Sequence, residues 1–351
     1  MQSVNADKRK GRTKKNVRSG VIARKTTTNL IDVFERFIHA KKAAGRAQGT
    51  LESYKSRLSI VRSYEAVTGE KMDMQKLTAE DFQDFIVYML EDHIKFDKHR
   101  FKKKEHQTLG LSPRTANDVI KNLRQVYAYA MDYELIDSSP LDKVDAVKYT
   151  EKRIEIMSPD EVRHFFSSLD QRNFSEFRDY VLSTFLLDSM CRINEAVNLR
   201  EQDFDFSQNF VRISAEFAKN RKSRVVPFQR RTGKMLRELI EENREFNTEY
   251  VFVANYGERL TTNHFRTQLR RYAEKAGMKR YFYPHLFRHT GATWYLEAEG
   301  DIRRLQMILG HADLRMTERY THLTGRSIAK SHERHSPMNQ VIGKMNKPRK
   351  R

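Results

Sequence analysis

The chain has 351 residues, 38% of them hydrophobic and 32% charged, with a formal net charge of +20. That length favours two domains over one core. The single cysteine, Cys191, excludes an internal disulfide or a cysteine-cluster metal site. No apolar run approaches the roughly 20 residues of a bilayer span, and the amino-terminal stretch lacks the apolar core of a secretory signal. A reducing, cytoplasmic setting is expected, with no membrane attachment. So basic a balance points to a polyanionic partner, nucleic acid before anionic membrane.

Residues 1–25 carry nine Lys and Arg against one acid, Asp7, and read as a flexible basic arm. Helical periodicity then begins: Leu30, Val33, Phe34, Phe37 and Ile38 share one face. A second helix is expected after Thr50, with Leu51, Tyr54, Leu58 and Val61 on one side. Thr78 caps a third, striped by Phe82, Phe85, Ile86, Met89 and Leu90. Ser112-Pro113 has the cap-then-proline form of a fourth start, continued by Val119, Ile120, Leu123, Val126, Tyr127 and Ala130. Between the third and fourth helices runs "KFDKHRFKKKEHQ", Lys95 to Gln107, a basic insertion that either tracks a phosphate backbone or is simply solvated.

The helical pattern breaks at Ser138, Ser139 and Pro140. A linker over 148–157 leads to Ser158-Pro159-Asp160-Glu161, where cap, N1 proline and capping-box glutamate occur together. Helices follow until the period changes from 3.6 to 2: "NFVRIS" and "SRVVPF" read as two strands of an antiparallel hairpin around "AEFAKNRK". After Pro227 helices are expected to about Leu323, then a basic tail over 324–351. No internal repeat is present.

No phosphate-binding GxxxxGK[ST] loop, carboxylate cluster of a two-metal nuclease or G-x-S-x-G elbow occurs. His285 and His289 are one helical turn apart, but "HLFRHTG" lacks the glutamate of H-E-x-x-H, and Arg288 would repel a cation. What remains is a set of cations and donors. Pro284-His285 opens a helix whose positive N-terminal end suits an anion, with His285 and Arg288 on one face. Arg192 follows an apolar helix, an odd place for a charge unless it is paired; a salt bridge to Glu195 is one reading of it and a functional cation the other. Lys219 lies in the hairpin turn. His311 follows Gly310, the expected stop of the helix bearing Ile302, Leu305, Ile308 and Leu309. Tyr320, nine residues after His311, taken alone, reads as packing.

In order and together, these residues resemble the tyrosine recombinase (phage integrase) family over about residues 26–323. "MCRINEAVNL" matches the context of the family's first catalytic arginine, at Arg192. "AKNRKSRVVPF" matches its hairpin lysine, at Lys219, with Ala218 where glycine is commoner and Lys222 as a competitor three residues on. "HLFRHTGAT" is similar to its His-x-x-Arg-His box, giving His285 and Arg288. "ILGHADLRMTERY" is similar to its Leu-Gly-His box, giving His311 and then Tyr320 as nucleophile.

The resemblance implies a four-helix, SAM-like, all-α core-binding domain over 26–147. It implies a mainly α catalytic domain with a small antiparallel β-sheet over 158–323. The family clamps double-stranded DNA as a homo-tetramer on paired sites, exchanging strands through a Holliday junction, in some members with a directionality factor. By resemblance, Arg192, Arg288 and His311 hold the scissile phosphate, Lys219 protonates the leaving 5′-oxygen, and His285 assists proton transfer around Tyr320. No cofactor or metal is implied. A nucleoid-associated recombinase of a mobile element is expected; a Xer-type chromosome-dimer resolvase or a type IB topoisomerase-like enzyme is the alternative.

Overall fold

A computed structural model describes residues 27–95, 97, 107–150, 155–321, 332–333 and 336–340. The basic arm, most of the Lys95–Gln107 insertion and most of the tail lie outside the described residues. The chain divides into two compact units, Met1–Glu151 and Lys152–Arg351.

The first unit is helical: α1 (Leu30–Ala43), α2 (Gln48–Thr68), α3 (Ala79–Glu91) and α4 (Pro113–Asp132), closed by a 3-10 turn at Pro140–Lys143. Each start but one has a local cause. Asn29 and Ser112 accept from backbone N–H groups of the first turns, and Thr78 forms a reciprocal capping box with Asp81. The exception is α2, which begins at Gln48, ahead of the expected start after Thr50, with no side-chain cap at Ala47. The striped residues Val33, Phe34, Phe37, Phe82, Phe85, Val119, Leu123 and Val126 are all fully buried in one core.

The second unit surrounds its core with α5 (Pro159–Ser167), α6 (Phe174–Ser189), α7 (Ile193–Ala196), α8 (Arg230–Glu242), α9 (Thr262–Lys275), α10 (Pro284–Glu297), α11 (Ile302–Leu309) and α12 (Arg315–Glu318). A three-stranded antiparallel sheet is ordered β1 (Phe204–Asp205), β2 (Phe210–Ile213), β3 (Arg224–Pro227). Its register pairs Ile213 with Arg224, so β3 begins beside the end of β2 and the turn bearing Lys219 projects beyond the pair. The hairpin agrees with the sequence pattern; β1 is an addition to it, since two residues show no periodicity. Between α8 and α9 the run of helices is interrupted by extended chain, with bridges Arg200–Tyr250 and Val253–Arg259.

α6 and α10 are the central pair. They approach so closely at Gly291 that a Cβ there would lie 2.2 Å from the Leu187 carbonyl oxygen. This contact sets α10, which carries His285, Arg288 and His289, against the end of α6. There Met190 turns left-handed (φ 54°) and leads into Arg192, the N-cap of α7.

Candidate active site

The site assembles around the C-terminal end of α11. Its last carbonyls have no intrahelical partners and carry the negative end of the helix dipole, so cations collect there. Arg224 Nε donates to the Ile308 carbonyl at 2.9 Å. Arg288 Nη2 and Arg192 Nη1 donate to the Leu309 carbonyl at 2.8 and 3.3 Å. Gly310 closes the helix at φ 62° and packs against the Arg224 guanidinium, which a Cβ would meet at 3.0 Å. Glycine at this position thus serves both the left-handed cap and the close approach.

Arg192, Arg224 and Glu195 form one network. The expected Arg192–Glu195 pair is present at 3.1 Å, and Glu195 also accepts from the Arg192 backbone N–H at 2.9 Å. Arg224 grips the same carboxylate through both terminal nitrogens, at 2.6 and 3.0 Å. Glu195 is buried. Burial would raise its carboxyl, but the hydrogen bonds and charge of Arg224, with those of Arg192, hold it below the ordinary carboxylate value.

Arg288 is only 3% exposed, and no carboxylate pairs with it among the described residues. Its neutral acceptors are the Met190 carbonyl at 2.5 Å, the Leu309 carbonyl, and His311 Nε2 at 3.2 Å. Burial, and then Arg192 beside it, lower its pKa to about 10, so it remains a cation. A buried charge held by neutral groups alone is a site for an anion.

His311 bridges this cluster to α12. Because Arg288 can only donate, Nε2 accepts, and the ring proton lies on Nδ1, which donates to Thr317 Oγ1 at 2.9 Å. Burial and the charges of Arg288, Arg192, Arg319 and Arg224 lower His311 to about 3. A neutral His311 therefore offers Nε2 as an acceptor in this arrangement.

Tyr320, just beyond α12, is 1% exposed and packs with Met190, Ala292, Leu305 and Leu309. Burial raises its hydroxyl pKa, against the opposing pull of Arg288, Arg319 and Arg192. Its hydroxyl lies 2.8 Å from Nδ1 of His289, which closes the His-x-x-Arg-His box and to which the sequence assigns no role once zinc is set aside. The available signal is the repeat of histidine one turn after His285. Arg224, within the hairpin stretch "AKNRKSRVVPF", likewise has no role expected from the sequence.

His285 stands on the first turn of α10. Burial lowers its pKa, as do the charges of Arg288, Arg266, Arg192 and Lys219. Lys219 is exposed on the β2–β3 turn. The structure thus brings Arg192, Arg288, His311 and Tyr320 into direct or one-residue-removed contact, with His285 within their field and Lys219 at the rim. No group of three or more His, Cys, Asp or Glu side chains forms a metal site among the described residues, and no described helix is long and apolar enough to cross a membrane.

Residues 155–326 match the Phage integrase family, and residues 29–150 match the phage integrase SAM-like domain. Tyrosine recombinase XerD of Listeria monocytogenes is 26% identical over 302 residues, covering 84% of this chain and 94% of the relative. The fold is shared with the Tn1549 transposon integrase in complex with a circular intermediate DNA, at a TM-score of 0.71 and 19% identity, covering 88% of this chain and all of that one. XerH recombinase bound to its palindromic difH substrate aligns at 0.64 and 20% identity, over 86% and 83% of the two chains. With both halves matched in chain order, the chain belongs to the phage integrase family, the tyrosine recombinases.

Proposed function

We propose that this chain cleaves and rejoins duplex DNA at specific sites through a 3′-phosphotyrosine on Tyr320. The observation that carries the reading is Arg288: a buried guanidinium without a carboxylate partner, in one cluster with the Tyr320 hydroxyl. A phosphodiester monoanion is the ligand that such a charge lacks, and planar guanidinium forks suit its two non-bridging oxygens. Arg192 and Arg288 grip the phosphate. His311 then donates to it while neutral: the Thr317 hydroxyl can turn to donate to Nδ1, which leaves the ring proton on Nε2. Lys219, reaching in from the turn, protonates the departing 5′-oxygen, and His285 serves proton transfer at the same site. The covalent phosphotyrosine conserves the bond for rejoining.

The protein acts as a homo-tetramer on paired sites, exchanging strands through a Holliday junction, with a directionality factor where the element demands one. The structural likeness to the Tn1549 transposon integrase, with the basic arm and the Lys95–Gln107 insertion, supports a mobile-element integrase. The likeness in sequence to XerD supports chromosome-dimer resolution as the second reading.

The test is a library of randomised nicked duplexes incubated with the protein in a chelator, from which covalent adducts are recovered and sequenced. Wild type is expected to select a consensus site and trap the adduct; Tyr320→Phe is expected to trap none. An adduct that persists in Tyr320→Phe, or activity abolished by the chelator, would overturn the mechanism. Strand exchange between two selected sites, against simple relaxation of supercoils, separates a recombinase from a topoisomerase.

A further inference from the structure

The Tyr320 hydroxyl has two polar neighbours of defined direction. Arg288 lies within hydrogen-bonding reach and can only donate. Among the described residues this leaves His289 Nδ1, at 2.8 Å, as the acceptor of the hydroxyl proton, which assigns the neutral ring's own proton to Nε2. The two rings are 5.7 Å apart and tilted by 44°. Both are held by packed elements: His289 by α10, Tyr320 by the small core under α11. His285 is less directly placed. Its ring lies 6.3 Å from that of His289, and its charged neighbours are those of the phosphate cluster.

We propose that His289 is the base that takes the Tyr320 proton as the phenolic oxygen attacks phosphorus, an inference that rests on the recombinase reading above. In cleavage the hydroxyl proton passes to His289 Nδ1, the Tyr320 oxygen–phosphorus bond forms, and the phosphorus–5′-oxygen bond breaks. The 5′-oxygen takes its proton from Lys219. In rejoining the steps reverse, and the His289 imidazolium returns its proton to the departing phenolate.

The groups facing His289 are His285 and Arg288 on α10, and Arg319 and Tyr320 after α12. Burial first, then His285, Arg288 and Arg319, hold the ring near pKa 4, so it is an unprotonated acceptor throughout the neutral range. A phosphate monoanion seated on Arg288 offsets that guanidinium and raises the basicity of the ring when the proton must move. Binding of the substrate thereby prepares its own base.

The experiment uses the full chain and the duplex selected above, under single-turnover conditions. His289→Ala and His289→Asn are compared with wild type; the Asn carbonyl can accept the Tyr320 hydrogen bond at the Nδ1 position but cannot keep a proton. Both are expected to slow adduct formation by about 100-fold or more, the range of general-base catalysis. Added imidazole or raised pH should restore much of the His289→Ala rate, and its recovery also reports an intact fold. A second duplex carries sulfur in place of the scissile 5′-oxygen, a leaving group that needs no proton. It should rescue Lys219→Ala and leave both His289 variants slow. Wild-type rates in His289→Asn, or rescue of the His289 variants by the sulfur substrate, would overturn the assignment. A wild-type protein that forms no adduct with any duplex instead refutes the recombinase reading beneath it.

Discussion

Glu195 is the residue whose loss the structure makes most costly. Its carboxylate accepts four hydrogen bonds, two from Arg192 and two from Arg224, and its side chain is fully enclosed. Glu195→Gln keeps the shape and removes the charge, leaving two largely buried guanidiniums without their anion. Breaking a buried pair by neutralising one partner costs about 3–5 kcal/mol. For a unit of this size each kcal/mol moves the melting temperature by about 2–4 °C, so the expected fall is roughly 6–20 °C. Thermal unfolding followed by circular dichroism at neutral pH measures it. Arg224→Gln and the double variant complete a cycle, and the two changes should couple by more than about 1 kcal/mol because the groups touch. The carboxyl is held below its ordinary value of 4.5, so its stabilisation is present above that value and is lost as pH falls through the folded-state value. A Glu195→Gln protein melting within about 2 °C of wild type, or strictly additive changes, would mean that the carboxylate does not hold the two arginines together.

The lowered histidines predict a second acid dependence. His311 and His289 sit near 3 and 4 in the folded protein against 6.5 when unfolded, so between those values the unfolded chain binds the extra protons. Stability should therefore decline as pH falls from about 6.5 toward 4, by up to about 2 kcal/mol at pH 5 for His289 and by clearly less for the half-exposed His311, whose shift solvent screens. Urea midpoints at pH 7 and pH 5 should draw together in His311→Gln, and an unchanged gap would sink the assignment. Gly291→Ala sets a Cβ against the Leu187 carbonyl at 2.2 Å, and the separation of α6 from α10 should cost about 3 kcal/mol in the same urea assay. A neutral result there would mean that the helices can part freely.

Much of the helical architecture is legible in the sequence because its causes are local. Thr78, Ser112 and Ser158 act within three residues of themselves, and each caps the helix read from it. The stripe of α1 is buried because a 3.6-residue period puts those side chains on one face whatever lies opposite. The start of α2 falls earlier than the pattern suggests because no capping side chain announces it. β1 leaves no trace in the pattern because its pairing partner, not its own two residues, makes it a strand.

The candidate site divides in the same way. Arg192 and Glu195 are three residues apart, so their pairing is readable; Arg224 joins them from 29 residues away, across the hairpin. The tyrosine carries two readings, packing or chemistry, and in the folded chain the ring packs while the hydroxyl meets a histidine. That histidine lies 31 residues earlier, on α10, while Tyr320 lies beyond the end of α12. Family, helices and the order of the cationic boxes follow from residue types at short spacing, and so they can be read from the chain alone. Which groups share a proton cannot. The directions of donors and acceptors are set by where α6, α10 and α11 meet, and no local pattern carries that geometry.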